Sequence, residues 1–116
     1  MSDFTYAPAK DPNSVEPYFF VWADKTGTNI SGDDGELQGA TIASYTVTPQ
    51  TGLTVTTDNK NAVTIAGISY GASTVVSVWV SGGTDGQDYE LLCRVVTNET
   101  PARTLDKTMI IPCRQQ

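Results

Sequence analysis

The sequence has no histidine, only two cysteines, and few charges: Asp, Glu, Lys and Arg make up 17% of its 116 residues. Each shortage removes a class of function. Without histidine the commonest general base and metal ligand is missing. An enzyme would then need an activated thiol, a carboxylate pair in a cleft or a bound metal. Cys93 lies in an apolar run and Cys113 beside Arg114, and neither has an evident activating neighbour. No catalytic, metal-binding or cofactor-binding residue is assigned, so no enzyme is expected. The seven Lys and Arg residues are scattered from Lys10 to Arg114, and the net charge is −6. A basic face able to displace counterions from nucleic-acid phosphates is therefore missing, as is one that would bind an anionic membrane. No run approaches the roughly 20 apolar residues of a membrane span. The start, Met1 to Tyr6, lacks the charged-then-apolar order of a signal peptide. Synthesis in the cytosol, with retention there until assembly, is the expectation.

Thr, Ser and Gly fill the space left by charge, a composition that suits strands and turns. The length is that of one domain, and no window shows helical periodicity. Strand-like runs are Tyr18–Trp22, Thr41–Val47, Leu53–Thr56, Ala62–Ile65, Thr74–Val80, Tyr89–Thr97 and Arg103–Ile111. Turn signals separate them: Pro49 to Gly52, Asp58 to Asn61, Gly67, and Gly82 to Gly86. About seven short antiparallel strands in this length predict an all-β sandwich of the immunoglobulin or fibronectin-III-like type. Tyr18, Phe20 and Trp22 share one face of the first run, and Val76, Val78 and Val80 one face of the fifth. Residues 1–14 hold Pro8 and Pro12 without periodicity and read as an extended arm; residues 15–116 read as a single sandwich domain. Within the arm Phe4 and Tyr6 are candidate partner-docking residues, because aromatic anchors dominate interface energetics.

Tyr89 begins the sixth run, as in the corner where a tyrosine hydroxyl bonds back to the preceding loop. That register sends Tyr89, Leu91, Cys93 and Val95 to the core. A last hairpin around Asn98 to Pro101 sets Cys93 opposite a residue near Lys107. Cys113 then lies six residues beyond Lys107, about 20 Å at the strand rise, too far for a disulfide. Two buried free thiols are expected in a fold without a structural disulfide.

Other candidate sites are weak. Asp33, Asp34 and Glu36 lack the spacing of a twelve-residue calcium loop, and Asp85 with Asp88 is weaker still; both read as solvated loops. Gly82, Gly83 and Gly86 lack the lysine and helix of a phosphate cradle. Trp22 and Trp79 are possible stacking platforms of a carbohydrate-binding module, although at least one belongs in the core.

The order of several segments resembles small structural proteins of tailed bacteriophages, of the fibre-tail adaptor type. The segments are Asp11-Pro12-Asn13-Ser14-Val15-Glu16-Pro17-Tyr18, the aromatic strand to Trp22, and Thr41 to Val47. Gly52 to Val55, Val78-Trp79-Val80-Ser81-Gly82-Gly83-Thr84, Tyr89-Glu90-Leu91 and Arg103 to Met109 complete the likeness, over about residues 11–112. It implies a non-enzymatic virion protein in the tail or neck, made in the host cytoplasm, that joins fibre to tail. It implies other virion structural proteins as partners and a symmetric homo-oligomer in the particle, with neither nucleic acid nor membrane bound. A capsid decoration (cement) protein is the alternative within the same class, distinguished by copy number per particle. A carbohydrate-binding module of a host-recognition apparatus is the alternative outside it.

Overall fold

The computed structural model describes residues 2–6, 10–24, 26–32 and 35–114. Nine strands and no helix occur among them: β1 (Ser2–Tyr6), β2 (Glu16–Val21), β3 (Ile42–Pro49), β4 (Leu53–Asn59), β5 (Val63–Ile65), β6 (Ile68–Tyr70), β7 (Val75–Gly82), β8 (Asp88–Thr97) and β9 (Thr104–Pro112). The chain is all-β, and both cysteines are buried and free. One sheet has the order β1-β9-β8-β3 and a second β2-β7-β4. The order β9-β8-β3 against β2-β7-β4 is consistent with the CFG and BED strands of an immunoglobulin-like sandwich. All pairings between these strands are antiparallel except β1 with β9, and an isolated parallel bridge joins Lys10 to Cys113.

The core follows from period-two alternation. Tyr18, Phe20 and Trp22 face Val76, Val78 and Val80, and from the other sheet come Tyr89, Leu91, Cys93, Val95, Met109 and Ile111, all buried. Each fully buried aliphatic or aromatic side chain contributes about 1.5–3 kcal/mol. In β3 the alternation breaks once. Ile42 is buried, and so are parts of Tyr45 and Val47 three and five residues later. A bulge between Ile42 and Ser44 supplies the extra residue that makes both sets face inward.

Two strands exceed the seven expected from sequence. Residues 2–6, read from sequence as an arm apart from the sandwich, run parallel along β9, from Ser2 beside Asp106 to Tyr6 beside Ile110. The second addition is β6. Ile65 pairs with Ile68 across Ala66-Gly67, both at positive φ (51° and 83°), the backbone of a two-residue hairpin turn. This ribbon gives its own small core, in which Val63, Ile65, Ile68 and Tyr70 pack with Phe19, Val21, Ala23 and Val75. Those β2 and β7 residues lie on the side of their sheet opposite the main core, so this end of the molecule has a third layer.

The final hairpin has the expected register, with Cys93 opposite Lys107. The tyrosine corner forms as well: the Thr84 N–H donates to the Tyr89 hydroxyl at 3.0 Å. Gly52 packs on that ring. A Cβ there would lie 2.7 Å from Tyr89 Cε1, and its φ of 111° is one that residues with a side chain rarely adopt.

Candidate partner-docking surface

Three features shape the surface: what anchors the N-terminal strand, what the sheet faces present and where charge is left over. The anchor is Lys10, which is wholly buried. Its Nζ donates to the carbonyls of Gly82 (2.8 Å) and Asp11 (2.9 Å). Its N–H donates to the Pro112 carbonyl at 2.8 Å, and its own carbonyl accepts from the Arg114 N–H at 2.9 Å. A buried ammonium is stable only when its protons are met; here backbone oxygens meet them, and the chain is clamped where the arm joins the domain. Lys10 thereby links the segment before β2 to Gly82 and to the end of β9.

Phe4 and Tyr6 stand in β1, in register with Thr108 and Ile110; their side chains lie outside the described residues. Thr108 and Ile110 alternate with the core residues Met109 and Ile111, so they belong to the outer face of the four-stranded sheet. On that face Thr48, Pro49, Gln50, Glu90, Leu92 and Thr108 line a groove of about 290 Å³. The Gln50 amide oxygen accepts from the Glu90 N–H at 2.9 Å, which extends the β3–β8 ladder and closes one end.

The three-stranded sheet presents a different face. Trp79 is 39% exposed there, beside Pro17 on β2 and Thr57 on β4. Val15, 53% exposed, continues the apolar strip two residues before Pro17. The two tryptophans thus separate as the sequence suggested. Trp22 is 1% exposed and belongs to the core, with the Lys107 ammonium 4.8 Å from its ring centroid. Trp79 stays open to partners.

A feature not legible in sequence is how two cations, Arg103 just before β9 and Lys107 within it, fasten the long connection between β2 and β3. Arg103 donates to the carbonyls of Glu36 (2.8 Å) and Leu37 (2.7 Å) and pairs with Glu99 at 2.5 Å. Lys107 donates to the Val21 carbonyl and pairs with Glu36 at 2.9 Å. Between these contacts Leu37 is fully buried in the main core, although its neighbours are polar. Glu36 therefore serves as an ion-pair partner; Asp33 and Asp34 lie outside the described residues.

The other described cations are engaged too. Arg94 forms a two-pronged pair with Asp106 (2.7 and 3.0 Å), Arg114 pairs with Asp88 at 3.1 Å, and Lys60 donates to the Ser73 hydroxyl at 3.0 Å. Hydrogen bonds from Arg94 lower the Asp106 pKa, and those from Arg103 and Thr97 lower that of Glu99. Burial pushes the Cys93 thiol up to about 12 and raises Cys113 as well, opposite to what a nucleophile at neutral pH requires. With the described cations spent internally and a net charge of −6, the surface offered to partners is acidic.

No curated protein and no solved structure matches the chain. A family model does, over residues 10–112. The matched region starts at the Lys10 anchor and ends at Pro112, whose carbonyl accepts the Lys10 N–H, so it takes in β2 to β9 and leaves out β1. The chain belongs to the podophage GP4 fiber-tail adaptor protein gp77 family.

Proposed function

We propose that this protein joins a tail fibre to the tail or neck of the virion, with other virion structural proteins as its partners and several identical copies arranged symmetrically in the particle. The observation that carries the reading is the match to the fiber-tail adaptor family across residues 10–112. That family is one of bacteriophage structural adaptors, which is not an enzyme class. The acidic surface and the open Trp79–Pro17–Val15 strip fit a role in protein contact, where aromatic anchors are surrounded by polar residues. The family match stops short of residues 2–6, so the N-terminal strand is where this chain can carry a contact of its own. In this reading Phe4 and Tyr6 dock on a neighbouring subunit, and residues 10–116 fold without them.

Two variants test the role of the N-terminal segment. Deleting residues 2–9 keeps the Lys10 clamp; the expected outcome is a folded domain that no longer enters particles. Phe4→Ala with Tyr6→Ala keeps the strand and should give the same loss. Wild-type incorporation of both variants would rule out docking through these aromatics. The adaptor reading is tested separately by cryo-EM of purified particles. A small ring of copies at the tail or neck supports it, and copies spread over the capsid shell would refute it.

A further inference from the structure

The four-stranded sheet ends on the uncharged strand β3 at one side and on β1 at the other. On the second side, two separate attachments hold the N-terminal segment along β9. Residues 2–6 pair in parallel with Asp106 to Ile110, and Lys10 forms a parallel bridge with Cys113. From Tyr6 to Lys10 the chain advances four residues, while from Ile110 to Cys113 it advances three. The two attachments are therefore out of step by one residue, and the ladder is interrupted between them. Ala7-Pro8-Ala9 joins them, and a proline has no N–H to give to a ladder. The Lys10 clamp closes through its own hydrogen bonds to Gly82, Asp11, Pro112 and Arg114, none of which involves β1. The strand can thus leave its edge while the clamp stays shut.

We infer that β1 is an exchange strand: in the particle it pairs with β9 of a neighbouring copy, in the register it has on its own β9. The family match over residues 10–112 takes in β2 to β9 without β1, so the strand is an addition to a sandwich that is closed at Lys10. Vacating β9 would open a nine-residue edge whose unpaired N–H and C=O groups are a template for another strand. The strand that fits this edge is the one already seated on it. Exchange replaces five residue pairs by five identical pairs, so the hydrogen bonds given up within a chain are regained between chains. The high local concentration of copies in an assembly then favours the exchanged form. Donor strand and acceptor edge are different parts of the surface, so each copy gives to one neighbour and takes from the other. Such a head-to-tail contact closes into a ring of several copies. Four residues span at most about 14 Å, which places the acceptor's Ile110 within that distance of the donor's Lys10. The inference rests on the reading that copies repeat symmetrically in the particle. It gives Phe4 and Tyr6 their docking place, in register with Thr108 and Ile110 of the neighbouring copy.

Disulfide trapping tests it. Ser2 and Asp106 are Cα partners in the β1–β9 register, and paired strands lie about 4.8 Å apart, within disulfide range. Asp106 pairs with Arg94 at the surface, so its replacement leaves the core alone, and the two native cysteines are buried. Particles carrying the double variant Ser2→Cys with Asp106→Cys are oxidised and run on non-reducing gels. Exchange should give a ladder of linked chains, because each disulfide then joins two copies. Unlinked chains overturn the inference, whether the new thiols are consumed within one chain or remain free. Particles holding Ser2→Cys and Asp106→Cys on separate chains should give linked pairs. Linked pairs from either variant alone would show contact without exchange and overturn it too. A cryo-EM map of wild-type particles gives a reading that needs no variant. Traced backward from Lys10, the chain should cross to Ile110 of the neighbouring copy; a trace that returns to its own Ile110 overturns the inference. A ladder from copies spread over the capsid shell would uphold exchange and refute the adaptor role, and unlinked chains in a ring at the tail would do the reverse.

Discussion

Replacing Arg103 by methionine should unlatch the connection between β2 and β3 while leaving both sheets paired. The guanidinium donates to two backbone carbonyls, Glu36 and Leu37. A hydrogen bond to a charged group contributes about 1.5–3 kcal/mol. Because 37% of the side chain is exposed, the lower end applies, and the two together should be worth about 2 kcal/mol once solvent screening is allowed for. Methionine keeps most of the aliphatic stem, so little packing is lost. For a chain of this size a loss of that order should lower Tm by about 8 °C. The proposed mechanism has a further consequence. If Arg103 acts by seating the segment that places Leu37 in the core, its loss and the loss of the leucine are not independent. Leu37→Ala alone should cost about 3 kcal/mol, as for other fully buried leucines. The double variant should then be at least about 0.5 kcal/mol less destabilised than the sum of the two single variants. Urea titrations of the four proteins, read by Trp22 and Trp79 fluorescence and by circular dichroism, provide the cycle. Strict additivity, or a cost below about 0.5 kcal/mol for Arg103→Met, would refute the latch and leave Arg103 as a surface residue.

Two further outcomes follow from the same structure. Tyr89→Phe removes the acceptor for the Thr84 N–H and should cost about 1 kcal/mol in the same titration, with no cost if the corner is incidental. Burial raises Cys93 from an ordinary 9.0 to about 12 and Tyr18 from 10.0 to about 12. Between those limits the folded chain binds more protons than the unfolded one, so stability is fully present below about pH 9 and declines as the pH rises toward 12. Urea midpoints at pH 8 and 10.5 should show that decline, and Cys93→Ala should make it shallower; equal midpoints would refute the burial of both groups.

Much of the sandwich was legible in sequence because a half-buried sheet imposes period two on its residues. Tyr18, Phe20 and Trp22, the three alternate valines of β7, and the run from Tyr89 to Val95 each declare an inward face without reference to any partner. The hairpin register between Cys93 and Lys107 was equally readable, since a short turn fixes which residues oppose. The β6 strand carries a weaker signal. Val63, Ile65, Ile68 and Tyr70 alternate around Ala66-Gly67, but Ala-Gly is a weaker turn mark than Asn-Gly, and Gly67 read as a terminator. The β1 pairing had no comparable signal, because its partner β9 lies a hundred residues away and five residues carry too little pattern.

The candidate surface divides along the same line. Composition and charge alone set the expectation against functions that need histidine, a basic face or a long apolar run, and residue order alone carried the likeness to adaptor proteins. Those are local or additive properties, and the chain displays them before it folds. That Trp22 is core while Trp79 is open, that Lys10 is buried against Gly82 and Pro112, that Arg103 and Lys107 reach Leu37 and Val21, 66 and 86 residues away, and that β3 is an uncharged edge were decided only by the tertiary structure. Each depends on which distant segments become neighbours, and no spacing along the chain records that.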